Sequence, residues 1–206
     1  MALVKYNNNS ISAVTSAASI PSGALTLIKT LTASSSANLS FVNGSSDVVL
    51  DSTYPIYVFK FINIHPATDD TIFQVNFRDG GSAYDAVKTT TFFDANHGED
   101  GSGGSLGYVT GSDLAQSTSA QRLTRSVGNG NDESTSGELI LFNPSSTTFV
   151  KHFIATTNSY IYSNYTFNQF VGGYCNVTDA IDGVQFAMAL GNLDSGTIKL
   201  YGIKDS

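Results

Sequence analysis

The sequence predicts an all-β fold, a sandwich or barrel of short antiparallel strands. Three observations carry that prediction. Apolar residues recur at every second position in one run after another, helical periodicity is nearly absent, and all four prolines (Pro21, Pro55, Pro66, Pro144) fall between the runs. The 206 residues form a single β-sandwich domain spanning 1–206, long enough to bury its own core.

The elements follow in chain order. Residues 1–23 read as an N-terminal arm. "ALTLIKTLT" (24–32) carries Leu25, Leu27 and Leu31 on one face of a strand, and "ANLSFVN" (37–43) follows, with Asn43-Gly44 opening a turn. "IYVFKFINI" (56–64) is the strongest strand. It is apolar on both sides: Ile56, Val58, Ile62 and Ile64 on one, Tyr57, Phe59 and Phe61 on the other. A sandwich strand needs only one apolar face, so a second cover is implied, either a loop folded over the sheet or another subunit. Tyr57, Phe59 and Phe61 are the candidate contact with a sister copy or a larger particle. "TIFQVNFR" (71–78) alternates Phe73, Val75 and Phe77 with polar residues, the pattern of a half-buried strand.

Residues 94–136 break the rhythm. Eight of the 19 glycines lie there, among Ser, Asp and Asn, so the segment reads as a long Gly/Ser-rich insertion within the domain. A strand at 106–110 and a short helix around Leu114–Leu123 are its only regular features. Alternation resumes in "GELILFN" (137–143), "FVKHFIATT" (149–157), "SYIYSNYTF" (159–167) and "DGVQFAMAL" (182–190), where Val184, Phe186, Met188 and Leu190 share a face. The closing run "SGTIKLYGI" (195–203) splits Ile198 and Leu200 from Thr197, Lys199, Tyr201 and Ile203 and reads as a strand that seals a sheet.

Composition narrows the function. Charge is sparse and acidic, net −7 with a pI near 4.6, which argues against nucleic acid or an anionic membrane as partner. Cys175, the one cysteine, cannot form an internal disulfide and reads as a small buried hydrophobe. "MALVKYNNNS" has no apolar core of a secretory signal, and no run is long enough to span a bilayer; the expectation is a soluble protein made in a cytoplasm.

No motif defines a catalytic or cofactor site. "GGSLG" (103–107) matches the G-x-S-x-G pattern around Ser105, but it lacks the strand–turn–helix context that makes the serine a nucleophile. "GNGNDES" (128–134) offers Asn129, Asn131, Asp132 and Glu133 without calcium-loop spacing, and a turn held by side-chain hydrogen bonds is the simpler reading. His65, His97 and His152 sit in unrelated local patterns with no ligand spacing, so neither metal nor cofactor is expected. "SYIYSNYTFNQFVGGY" (159–174) concentrates rings. Tyr160, Tyr162 and Tyr165 are candidate glycan contacts if exposed; otherwise the rings fill a strand pair or a subunit contact.

Four segments also carry a resemblance. "SGTIKLYGI", "LDSTYPIYVFKFINIHPATD" (50–69), "GELILFNPSSTTFVKHF" (137–153) and "GGYCNVTDAIDGVQFAMALGNLDSGTIKLYGI" (172–203) together resemble, in order, virion proteins of tailed bacteriophages, notably marine ones. That group includes capsid decoration proteins, head fibres, and tail or baseplate appendages. The resemblance implies a jelly-roll-like β-sandwich, a homo-oligomer that is commonly a trimer, no enzymatic activity, and a place on the virion against the major capsid protein or other virion proteins. Capsid decoration is the first expectation. A tail-fibre or tail-tip protein that recognises host glycans is the alternative, and an enzyme built on Ser105 is the least supported.

Overall fold

The computed structural model describes residues 25–161 and 163–204; the N-terminal arm and Tyr162 lie outside the described residues. The described chain is all β, with strands β1 (Leu25–Thr32), β2 (Leu39–Val42), β3 (Ile56–Pro66), β4 (Phe73–Arg78), β5 (Lys88–Gly98), β6 (Ser105–Tyr108), β7 (Gln121–Arg122), β8 (Thr135–Phe142), β9 (Lys151–Ile161), β10 (Tyr165–Cys175), β11 (Gly183–Met188) and β12 (Leu193–Ile203). They form two antiparallel sheets. The larger runs β1-β12-β3-β8-β9-β10-β5-β6 and the smaller runs β2-β11-β4-β7. The run at 159–167, apolar enough to pass for one strand, is instead a hairpin tip joining β9 to β10, turned at Asn164 with φ 60°.

The core lies between the sheets, and large rings fill it. Phe41 and Phe186 come from the small sheet, Phe59 and Phe61 from the large one, and all are essentially inaccessible to solvent. Phe73, Val75 and Phe77 of β4 point the same way, as their alternation predicts. From β12 the core receives Ile198 and Leu200.

Strand β3 corrects the expected face assignment. Tyr57, Phe59 and Phe61 are the core face, with exposures of 0%, 0% and 2%, so they are not a contact surface. The reason is volume. Sheets pack about 10 Å apart, and rings from both sides fill that gap better than β-branched chains do. The Tyr57 hydroxyl is also satisfied internally: it donates to the Asp51 carbonyl at 2.9 Å and accepts from the Asp51 N–H at 3.0 Å. A bulge then resets the period. Asn63 adopts φ 49°, the pairing slips between Phe61 and Ile64, and Ile64 joins the core while Ile62 stays outside. Gly196 of β12 faces this bulge with φ +113°, and a Cβ there would lie 2.5 Å from the Asn63 carbonyl oxygen. A second slip, between Leu27 and Lys29, separates Leu31 from Leu25 and Leu27: Leu31 packs on the core, whereas the other two are exposed.

The segment 94–136 is more ordered than a loop. It begins inside β5, contains β6, and supplies β7 to the small sheet. The expected helix at Leu114–Leu123 does not form, because its backbone bonds elsewhere. Thr90 N donates to Leu114 O at 2.9 Å, while Lys88 and Ser117 exchange both backbone bonds. Side chains reinforce the arrangement: Thr90 Oγ1 donates to Gln121 Oε1, and Gln121 Nε2 donates to Ser112 O at 2.9 Å. The far half of the large sheet is thereby covered by a polar layer, with Gln121, Thr124, Thr135, Thr157 and Ser159 all buried. Each such group needs a partner once water is excluded.

One buried row is ionisable. Cys175 of β10 is registered between Lys88 of β5 and Lys151 of β9, and all three are fully buried. Lys88 Nζ donates to Asn76 Oδ1 at 2.5 Å and to Ala86 O at 2.7 Å; Lys151 Nζ donates to Val177 O at 2.8 Å. Burial pulls Lys88 down from 10.5 to about 8 and pushes the Cys175 thiol up from 9.0 to about 12. Lys151 is lowered for the same reason. Between pH 8 and 10.5 the unfolded chain holds a proton that folded Lys88 has released, so this group makes stability rise with pH. Above pH 9 folded Cys175 keeps a proton the unfolded chain loses, so that group makes stability fall with pH. Tyr57, raised by burial from 10.0 to about 12, adds to the falling limb. Lys88 by itself adds about 1 kcal/mol between pH 8 and 9, the thiol already takes back roughly 0.3 kcal/mol there, and stability declines above pH 10. Lys88→Met removes the Lys88 share of the rise and leaves only what Lys151 contributes. Urea unfolding of both proteins at pH 8 and 9 tests it; an equal rise in the variant refutes the assignment.

Candidate interaction surface

The outer face of the eight-stranded sheet is the most distinctive surface of the described chain. Pleating points alternate residues of each strand away from the core, and the register lines them up across strands. One row runs Leu25, Ile203, Ile56, Phe142. The next runs Leu27, Tyr201, Val58, Ile140, Ile154, Gly172. The third begins with Thr30, Lys199, Lys60, Glu138 and Thr156 and ends on Phe170, Phe93 and Tyr108.

No described element packs over this band. Leu27 and Ile154 remain 52% and 51% exposed, although an outward residue on a solvated sheet is ordinarily polar. Val58, by contrast, is nearly buried between its registered neighbours Tyr201 and Ile140. Phe93 and Phe170 stack with ring centres 4.9 Å apart and planes 14° from parallel. Within these rows the charges largely cancel: Lys60 is paired with Glu138 across the strand, leaving Lys199. Toward the β9–β10 tip the same face turns polar, through Ser136, Asn158 and Asn168.

On β3 the outer side is thus Ile56, Val58 and Ile62, and Tyr57, Phe59 and Phe61 face the core. Ile140, Ile154 and Phe170 were not legible as part of this face, because only the sheet order places β8, β9 and β10 in succession after β3. The alternating signal was present in each strand, with apolar residues on both faces of 139–142 and 153–155.

Of the candidate glycan residues, Tyr162 lies outside the described residues, and Tyr160 and Tyr165 do not share a face. Tyr160 is paired with Thr166 and shares the outer face with it, while Tyr165 belongs to the alternate, opposite set. The Tyr160 hydroxyl donates to Asn164 Oδ1 at 3.2 Å. Tyr165 packs over Gly98 and Gly103 and lines an open hollow at the tip with Glu99, Asp100, Ser163 and Asn164.

The remaining sequence candidates are separated. Ser105 lies in the edge strand β6, where its hydroxyl accepts a hydrogen bond from Asn96 Nδ2 at 2.7 Å; no strand–turn–helix elbow surrounds it. Glu133 accepts from the Gly130 N–H of its own turn, and His65 Nε2 lies 3.1 Å from Gly130 O. His65, His97 and His152 fall on three different strands, β3, β5 and β9. Among the described residues, no three His, Cys, Asp or Glu side chains converge on a point where a metal ion could sit.

Comparison with protein families finds no matching family model, and comparisons with curated proteins and with solved structures find no match.

Proposed function

We propose that this chain is a non-enzymatic structural protein of a tailed-phage virion, decorating the outer capsid surface as an oligomer. The observation that carries the proposal is the uncovered apolar band on the large sheet. Such a surface costs solubility unless it meets another protein, and a structural role accounts for it where a catalytic one does not. The four segments that resemble phage virion proteins support the same reading. So does the strand order. We read β1, β12, β3 and β8 in one sheet, and β2, β11, β4 and β7 in the other, as the two halves of a jelly roll. The hairpins β5–β6 and β9–β10 then widen the first half. That architecture recurs in viral capsid domains, which is an argument by analogy.

In this role weak contacts sum through symmetry, so an apolar surface of moderate area suffices. Cryo-electron microscopy of the phage particle, with a copy count, tests the proposal. Hundreds of copies on the capsid support it. Density confined to the tail rejects the capsid assignment, and absence from the particle rejects the virion assignment altogether.

A second reading is a tail-fibre or tail-tip module that binds host glycans. Its support is the tip hollow, where one ring, Tyr165, stands beside Glu99, Asp100, Ser163 and Asn164. Binding of the purified protein to a glycan array, lost in Tyr165→Ala, would favour it; no binding to host envelope glycans counts against it.

A further inference from the structure

We infer that the occupant of the apolar band is the same band of a second copy, packed face to face about a two-fold axis. The inference rests on the reading of this band as a contact surface, and it names the partner. Three features select a second copy. The first is self-complementarity. A two-fold contact sets one patch against itself, so the patch must be largely apolar and carry little unpaired charge, and this one pairs Lys60 with Glu138 and leaves Lys199 at its edge row. The second is area. Six strands from β1 to β10 at ~4.8 Å spacing, three outward residues deep at ~6.8 Å, give roughly 600 Å² of sheet on each copy, the third row being the largely polar one that runs through Lys60 and Glu138. Two such faces remove roughly 1,200 Å² from water, the lower bound of a stable specific interface. The third is charge balance. Each copy carries net −7, which opposes pairing, but the charge left unpaired in the band's rows is the cation Lys199, so contact on this face adds no acidic repulsion.

The test uses the full chain in sedimentation-velocity experiments across a concentration series. The intact protein is expected at twice the 21.8 kDa chain mass, and Ile154→Glu and Tyr201→Glu at the single-chain mass. Both residues point outward, so far-UV circular dichroism should stay unchanged. Asn158→Glu, on the polar half of the same face, should leave the paired mass intact. An intact protein that stays single at every concentration overturns the inference. So does a single chain that pairs only when residues 1–24 are removed, because the chain's own segment would then be the cover. Three chains that survive Ile154→Glu also overturn it, placing the contact on another surface. The virion proposal fails separately: a pair that dissociates with Ile154→Glu yet never copurifies with particles keeps the inference and loses the capsid.

Discussion

Deleting residues 195–206 is expected to abolish folded protein. β12 is not an edge. It lies between β1 and β3, and within the described sheet β1 has no other neighbour. Truncation therefore strips backbone partners from two strands at once, and β1 loses its one ladder among the described strands. It also removes Ile198 and Leu200, both wholly buried against the core. Each such side chain contributes roughly 1.5–3 kcal/mol of burial, before the freed backbone groups of β1 and β3 are counted. A domain is stable by only about 5–15 kcal/mol, so the remainder cannot hold both sheets. Newly exposed strand edges should then drive aggregation. The check is the soluble yield and thermal unfolding of the truncated chain beside the intact one. A soluble truncated chain with an unchanged unfolding midpoint contradicts the sealing role of β12.

Period-two alternation made most strands legible, because one side of each is dry and the other less so. Phe73, Val75 and Phe77 were readable for that reason, as were Ile198 and Leu200. Alternation alone could not tell which side of β3 was dry, since both sides are apolar. The answer depends on Phe41, Phe73 and Phe186, which come from distant parts of the chain and meet Phe59 and Phe61 only in the folded sandwich. Bulges were equally hidden. Asn63 gives no pattern of its own, yet it moves Ile64 from the outer face to the core. The polar layer beneath 109–127 was unreadable because it is built from hydroxyls and amides that suit a surface loop equally well. Only their pairing, as between Thr157 Oγ1 and Leu123 O at 2.6 Å, marks them as interior. The exposed apolar band was half legible: the excess of apolar residues was visible, but its outline follows the sheet order, which places β12 beside β3 across most of the sequence.

Replacing Phe186 by alanine is expected to cost about 4 kcal/mol, the largest loss from any single side chain in this core. Phe186 is the hub where the sheets meet. Its ring centre lies 5.1 Å from Phe61, 5.3 Å from Phe59, 5.8 Å from Phe73 and 6.3 Å from Phe41. Most of these pairs are edge-on or tilted, the arrangement in which ring quadrupoles attract beyond the benefit of burial. Alanine removes the ring and leaves a cavity bounded by other rings. Their backbones are fixed in two hydrogen-bonded sheets, so the walls cannot collapse inward to fill it. Leucine keeps most of the volume but loses the ring contacts, and should cost less, about 1–2 kcal/mol. Phe149→Ala supplies the control: that ring is 70% exposed, and its loss should change stability by no more than about 0.5 kcal/mol. For a chain of this length the alanine variant at position 186 should melt roughly 10 °C lower. Equal losses at positions 186 and 149 in chemical denaturation would mean that the ring cluster does not hold the two sheets together.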